Sequence, residues 1–308
     1  MPGLMGASRS RVASSLLLDE YFEAEDDRFV DEVIASTAAQ RLKALAPRWY
    51  ADQRPFARRA LLRYIDDGCD RPHHRPLVKA LLKLAEKQGD DEAMGHFMVA
   101  FDRLLRRKLV EVTQYDWRAR REVPAKELHL ETRAPKHGRD KDAPHFSLAT
   151  RGYLKRRANR YFRRLGRADL PRYGRAIRAA LALYQDEHLS TPAHLLDAWS
   201  LLHQLFWCSE VIDEDPRGCR VAHGASLADL EPLPMYPEAW QGAFDEVFAL
   251  VTTARSRTVR ASVIKMLQRW YGSDLRALPL GRVRPLLSSP HEEVQTFGAE
   301  LLRSAAGL

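Results

Sequence analysis

The stretch Val259-Arg-Ala-Ser-Val-Ile-Lys-Met-Leu267 returns 35 residues later as Val294-Gln-Thr-Phe-Gly-Ala-Glu-Leu-Leu302. The same shift carries Val251 onto Leu286. Apolar residues recur at helical intervals in both copies. An internal period of this length marks stacked supersecondary units, each too small to bury its apolar face alone. The expected fold is therefore all-α and built from helical hairpins.

Upstream, Phe29, Val30, Val33 and Ile34 form an apolar stripe after Asp26-Asp27, carboxylates that suit the positive end of a helix. Ala57 to Ile65 gives a second stripe, and Leu77, Leu81, Leu82 and Leu84 give a third after Arg71-Pro-His-His74. Gly89-Asp-Asp91 breaks the pattern before Met94, Phe97, Met98, Phe101, Leu104 and Leu105 resume it. Helix, polar turn and helix in succession is the sign of an α-hairpin. From Val112 to Phe146 the helical period disappears, and Pro124, Pro135 and Pro144 stand among charges. This is a long charged insertion with room for a small β-hairpin, because Val110-Glu-Val112 and Leu128-His-Leu130 alternate. Glu122 to Ala143, lacking apolar periodicity, is expected to be a mobile arm.

Helical spacing returns at Ser147 and continues to about Leu165, with a turn expected at Gly166. Thr191-Pro192 is a good helix start, Thr as the cap and Pro in the first turn. Ala193 to Cys208 follows, apolar on nearly every side, and reads as one central buried helix. The resulting order is an N-terminal extension (1–25), helical hairpins (26–111), the charged insertion (112–146) and a central helical region (147–212). A Pro-rich connector (213–238) then leads to the repeated hairpins (239–308).

Within the second copy, Leu286-Leu-Ser-Ser-Pro-His-Glu-Glu-Val294 resembles the turn of a HEAT repeat, where a first helix ends, Pro follows and Val opens the second helix. The pair Val259-Arg260 is similar to the Val-Arg often found there. The resemblance covers about residues 239–304 and extends loosely to the earlier hairpins. Gln295 stands where a basic residue is expected, and His291 where Asp is common. The resemblance implies an α-solenoid serving as a scaffold or recognition surface, and HEAT architecture by itself specifies no ligand. Some DNA glycosylases acting on alkylated bases are also built from HEAT-like repeats. This chain shares with them a basic surface and Trp199, Trp207, Trp240 and Trp270, but no catalytic Asp motif matches theirs, and helical stripes make those tryptophans core residues first. A stacked array also exposes an apolar edge unless something covers it. Val294, Phe297, Leu301 and Leu302 would supply that edge for a second copy or a partner helix.

Charge points to the partner's chemistry. Between Arg103 and Arg178 stand 23 Lys/Arg against 8 Asp/Glu, whereas the remainder has 26 against 33, so the net charge of +8 hides a polarised chain. Around Leu154 the apolar positions Leu154, Ala158, Tyr161, Phe162 and Leu165 share one helical stripe. Opposite them lie Arg156, Arg157, Arg160, Arg163, Arg164 and Arg167, the candidate anion- or nucleic-acid-binding residues. Guanidinium groups bind phosphate oxygens bidentately and release counterions from a polyanion. Trp117, Arg118, Arg120 and Arg121 add an aromatic and more charge within the insertion. The expected activity is noncatalytic recognition of an anionic partner, nucleic acid or acidic protein.

Cys69, Cys208 and Cys219 are an odd number of cysteines without metal-binding spacing, which suits a reducing compartment and makes cytoplasm the expected location. Neither Cys69 with His73 and His74, nor Cys208 with Cys219 and His223, supplies four ligands at a zinc spacing. Asp213-Glu-Asp215 lacks the spacing of a calcium loop. No nucleotide loop or nucleophile elbow is present, no cofactor is expected, and no stretch is apolar enough to span a bilayer.

Overall fold

The computed structural model describes residues 17–103, 107–130, 146–215 and 218–305. Over these the chain is mostly helical, with two small two-stranded antiparallel sheets. By its internal contacts it divides into two compact units: Met1–Ala100 with Arg133–Arg151, and Phe101–Thr132 with Gly152–Leu308.

The first unit contains α1 (17–23), α2 (Arg28–Ala35), α3 (Ala39–Ala51), α4 (Pro55–Gly68), α5 (Arg75–Gln88) and most of α6 (Asp91–Arg103). Local chemistry sets the ends. Pro55 opens α4, where its missing N–H costs nothing, and Gly89 closes α5 in the left-handed conformation at φ 66°. Asp90 then accepts a hydrogen bond from Ala93 N (3.0 Å) at the start of α6. An aromatic cluster of Phe22, Phe29, Trp49, Phe56 and Tyr64 fills the interior, and the Trp49 indole donates to Ala57 O (3.0 Å).

His74 is fully buried beside this cluster. Its Nε2 faces Ser36 O (3.1 Å) and its Nδ1 faces the Tyr64 hydroxyl (2.9 Å), so Nε2 carries the proton and Nδ1 accepts. Burial pushes the ring down to about 4.

In the second unit, β1 (Arg107–Asp116) pairs with β2 (Arg121–Leu130) from Arg107↔Leu130 to Asp116↔Arg121. The small hairpin expected inside the insertion is thus real and longer than its alternating residues suggested. Pro124 is tolerated because a two-stranded ribbon leaves one side of each strand unpaired. The expected mobile arm requires correction over Glu122–Leu130, which is paired strand; its remainder lies outside the described residues.

Helix α7 (Leu148–Ala168) runs through Gly166, correcting the expected turn there. The break comes at Asp169, which caps α8 (Leu170–Ala182) by accepting from Arg172 N (3.0 Å). Gly166 instead admits the Tyr236 ring, which a Cβ would approach to 2.3 Å, and Tyr236 OH donates to Arg163 O (2.8 Å).

The single helix expected over Ala193–Cys208 is also corrected. It is two helices, α9 (Pro192–Asp197) and α10 (Trp199–Leu205), separated at Ala198 with ψ 63°. The cause is remote in sequence. Asp102, buried at 3% exposure, accepts from Ser200 N (3.1 Å) and Leu201 N (2.9 Å), so its carboxylate occupies the N-terminus of α10. The Tyr184 hydroxyl donates to the same carboxylate (2.7 Å), and the Lys155 ammonium lies 3.6 Å away while donating to Asp197 O (2.7 Å).

After a second hairpin, β3 (Ile212–Asp215) with β4 (Gly218–Val221), come α11 (Phe244–Thr253), α12 (Arg257–Trp270), α13 (Gly272–Arg276), α14 (Leu280–Leu287) and α15 (Glu292–Ala305). The sequence repeat is a pair of helical hairpins, α11–α12 and α14–α15, with α12 packed on α15. Equivalent residues do equivalent work: Val259 and Val294 are both fully buried, as is Val251, with Leu286 nearly so. Arg260 Nη1 donates to Ala254 O (3.0 Å), and 35 residues later Gln295 Nε2 donates to Ser289 O (2.7 Å). Arg260, 1% exposed, also binds Glu293 (2.6 Å), the second residue of α15, and so ties the two hairpins together.

The expected apolar edge differs from the one observed. Val294, Phe297 and Leu301 are buried, whereas Leu280 and Leu287, two turns apart on α14, are exposed; residues 306–308 lie outside the described ones.

Two stability predictions follow from the buried polar groups. The His74 ring titrates near ~6.5 when unfolded and about 4 when folded, so its contribution is intact above pH ~6.5 and is lost as pH falls toward 4. His74→Asn lacks that titration. In urea denaturation the stability advantage of the native chain over this variant should shrink by roughly 2–3 kcal/mol between pH 7 and pH 4.5. Asp102→Ala leaves the Lys155 ammonium without its counter-ion, and the Tyr184 hydroxyl and two helix amides without their acceptor, and should cost roughly 3–5 kcal/mol. Amide exchange at Ser200 and Leu201 should accelerate before that of α11–α15.

Candidate functional site

Helix α7 presents three distinct stripes. Leu154, Ala158, Tyr161, Phe162 and Leu165 are buried, as their spacing requires. Beside them Lys155, Asn159 and Arg163, at i, i+4 and i+8, anchor the helix along α9 and α10. Lys155 reaches Asp197 O, Asn159 Oδ1 accepts from Gln204 Nε2 (2.5 Å), and the Arg163 guanidinium stands 5.6 Å over the Trp207 ring. Gln204 in turn accepts from the buried Tyr173 hydroxyl (2.8 Å), so the polar stripe is hydrogen-bonded through to α8.

Arg156, Arg160, Arg164 and Arg167 are exposed on the third stripe. Among the described residues no ion pair or hydrogen bond is made by the Arg156, Arg160 or Arg167 side chains. At 1.5 Å per residue the row places a cation about every 6 Å over the first three arginines and spans roughly 16 Å in all. The remaining two candidates sit at its margins, half-buried: Arg157, whose Nη1 donates to Tyr153 OH (3.0 Å), and Arg163 on Trp207.

The wider basic stretch is not all surface. Arg151, Lys155 and Arg178 are buried, and Arg178 donates to Ala239 O (2.9 Å) over the Trp240 ring. Burial lowers its proton affinity below that of an ordinary arginine. Sequence periodicity missed Lys155 and Asn159 as anchors because it separates apolar from polar and cannot tell a buried polar residue from a solvated one.

The tip of the β1–β2 hairpin is a second basic surface. Asp116 Oδ1 accepts from Arg118 N (2.8 Å) and Ala119 N (3.0 Å), and Arg120 takes the left-handed conformation at φ 51°. This tight turn carries Tyr115 and Trp117 edge to face, ring centres 4.8 Å apart, with Arg118, Arg120 and Arg121 exposed around them.

Of the four tryptophans on helical stripes, Trp240 is fully buried, while Trp199, Trp207 and Trp270 are half-buried. Trp199 donates to Glu214 (2.7 Å), whose other oxygen lies 3.1 Å from His203 Nε2. His194 is engaged by Ser190 (3.0 Å). Cys69 and Cys219 are buried, with the Cys219 thiol pushed up to about 12 by burial, and Cys208 is exposed beside Trp207. Among the described residues no three His, Cys, Asp or Glu side chains come together as a metal site, and no helix is long and apolar enough to cross a membrane. No family model matches the chain, and comparison with curated proteins and with solved structures found no match.

The stripes of α7 should separate in thermal and chemical denaturation. Leu154→Ala should destabilise by roughly 2–5 kcal/mol, as for other fully buried leucines. Arg156→Ala and Arg160→Ala should each stay within about 0.5 kcal/mol of the native chain.

Proposed function

We propose that this protein is a noncatalytic recognition protein, built in part from HEAT-like helical hairpins, that binds nucleic acid through the arginine face of α7. The observation that carries this reading is the row Arg156, Arg160, Arg164 and Arg167, exposed on a helix whose rotation is set by its other two stripes. Some arginines of the first unit are used differently. Arg48 pairs with Asp19 and Glu23, Arg58 with Asp90 and Glu92, and Arg63 with Asp31 and Asp67. Exposed guanidinium groups in a repeating row suit a partner whose charge also repeats, which is the property of a phosphate backbone. The repeated hairpins α11–α12 and α14–α15, with their matching Arg260 and Gln295 hydrogen bonds, favour the HEAT-like part of the reading.

Fluorescence anisotropy with labelled duplex DNA, single-stranded DNA and RNA, and polyglutamate, each titrated between 50 and 200 mM salt, tests the proposal. Four phosphate contacts give a slope of log affinity against log salt near about −3.6 on duplex. Arg156→Glu with Arg160→Glu should weaken binding and flatten that slope by about 2 while leaving helicity unchanged. An unaltered slope removes α7 as the contact. Binding to polyglutamate with none to nucleic acid assigns the surface to an acidic protein instead.

A further inference from the structure

Trp117 is 83% exposed, the most exposed of the large hydrophobic side chains among the described residues, and Tyr115 beside it is 47% exposed. An indole is ordinarily buried for its apolar area or placed where a partner covers it. The hairpin leaves most of this one open to solvent. Tyr115 meets it edge to face at 72°, and the two strands pair with each other more extensively than with any described helix. The backbone that carries the ring is nevertheless held in place. The Asp116 carboxylate fixes the two amides after Trp117, and the turn closes on the Asp116↔Arg121 pair.

Around it, Arg118, Arg120 and Arg121 are all exposed, whereas Asp116 has one carboxylate oxygen engaged by the turn. An exposed aromatic ring on a turn that also carries three exposed arginines is complementary to a ligand with a flat π-surface attached to an anionic backbone. An acidic peptide offers the charge without the flat surface. A duplex offers the charge with its base faces already stacked on one another.

Taking the nucleic-acid reading of α7 as its premise, we propose that the β1–β2 tip is a stacking platform for an unpaired base of a single-stranded nucleic acid. Trp117 receives the base, Tyr115 buttresses the indole, and Arg118, Arg120 and Arg121 take the flanking phosphates. Stacking uses the π-face that every base shares, so the tip adds preference for single strands over duplex without sequence or sugar preference.

The test compares the full-length chain with Trp117→Ala and Trp117→Phe for binding labelled (dT)20, (U)20 and a 20-base-pair duplex at one salt concentration. Trp117→Ala should weaken both single strands by about 5- to 150-fold, the range found when a stacked aromatic is truncated. Duplex affinity and the salt slope should not change, and Trp117→Phe should retain most of the single-strand affinity. The side chain is exposed, so its loss leaves the hairpin intact, which circular dichroism checks. Unchanged single-strand affinity in Trp117→Ala overturns the platform and leaves the α7 reading standing if Arg156→Glu with Arg160→Glu still flattens the slope. An equal loss on duplex and single strand also overturns it, since stacking is then not what Trp117 contributes. Absence of binding by the native chain to all three probes removes both proposals together.

Discussion

A buried carboxylate at the start of a helix organises the second unit. Asp102 accepts from Ser200 N, Leu201 N and the Tyr184 hydroxyl and faces the Lys155 ammonium, joining the end of α6 to α7, α10 and the segment after α8. Desolvating a carboxylate costs several kcal/mol unless its lone pairs are satisfied, and here helix amides, a phenol and a cation share that task. The burial also fixes direction. Lys155 reaches its partners only if α7 is rotated so that Leu154 and Ala158 enter the core and Asn159 meets Gln204. The arginine row faces outward as a geometrical consequence. Electrostatics inside the unit thereby decide which charges are left outside it.

The fold was legible wherever a period survived in the sequence. The 35-residue shift located two hairpins because the same buried positions, Val259 and Val294 or Val251 and Leu286, had to be apolar in both. The apolar and cationic faces of α7 could be read from spacing alone. Three things could not. The break at Ala198 has no Gly or Pro to announce it, because its cause is a carboxylate almost a hundred residues earlier. Lys155 and Asn159 look like surface residues, because their partners come from elsewhere in the chain. The extent of β1–β2 was obscured because a two-stranded ribbon tolerates charges and even Pro124, which erases the alternation of a half-buried strand.

The candidate site shows the same division. Arg156, Arg160 and Arg167 were identifiable as exposed because their angular positions lie opposite Leu154 and Leu165, whereas spacing sets Arg164 nearer the flank of the apolar stripe and Arg163 opposite it. Arg157 and Arg163 were grouped with them by charge, yet each sits at the margin of the face, one on Tyr153 and the other on Trp207. The charge total of the stretch likewise overstates its surface field. Arg151, Lys155 and Arg178 belong to the interior, where Lys155 serves a carbonyl and Arg178 a carbonyl and a ring.

Cys208 gives this arrangement a practical use. It is exposed, whereas Cys69 and Cys219 are enclosed out of a reagent's reach, and burial also holds the Cys219 thiol in its protonated, poorly nucleophilic form. A maleimide dye added near neutral pH will therefore select Cys208 without any substitution in the chain. Its neighbour Trp207 lies beneath the Arg163 guanidinium at the margin of the arginine face. The protein thus carries a ready attachment point for a reporter dye close to the arginine face, so the nucleic-acid proposal can be followed optically on the unmutated molecule.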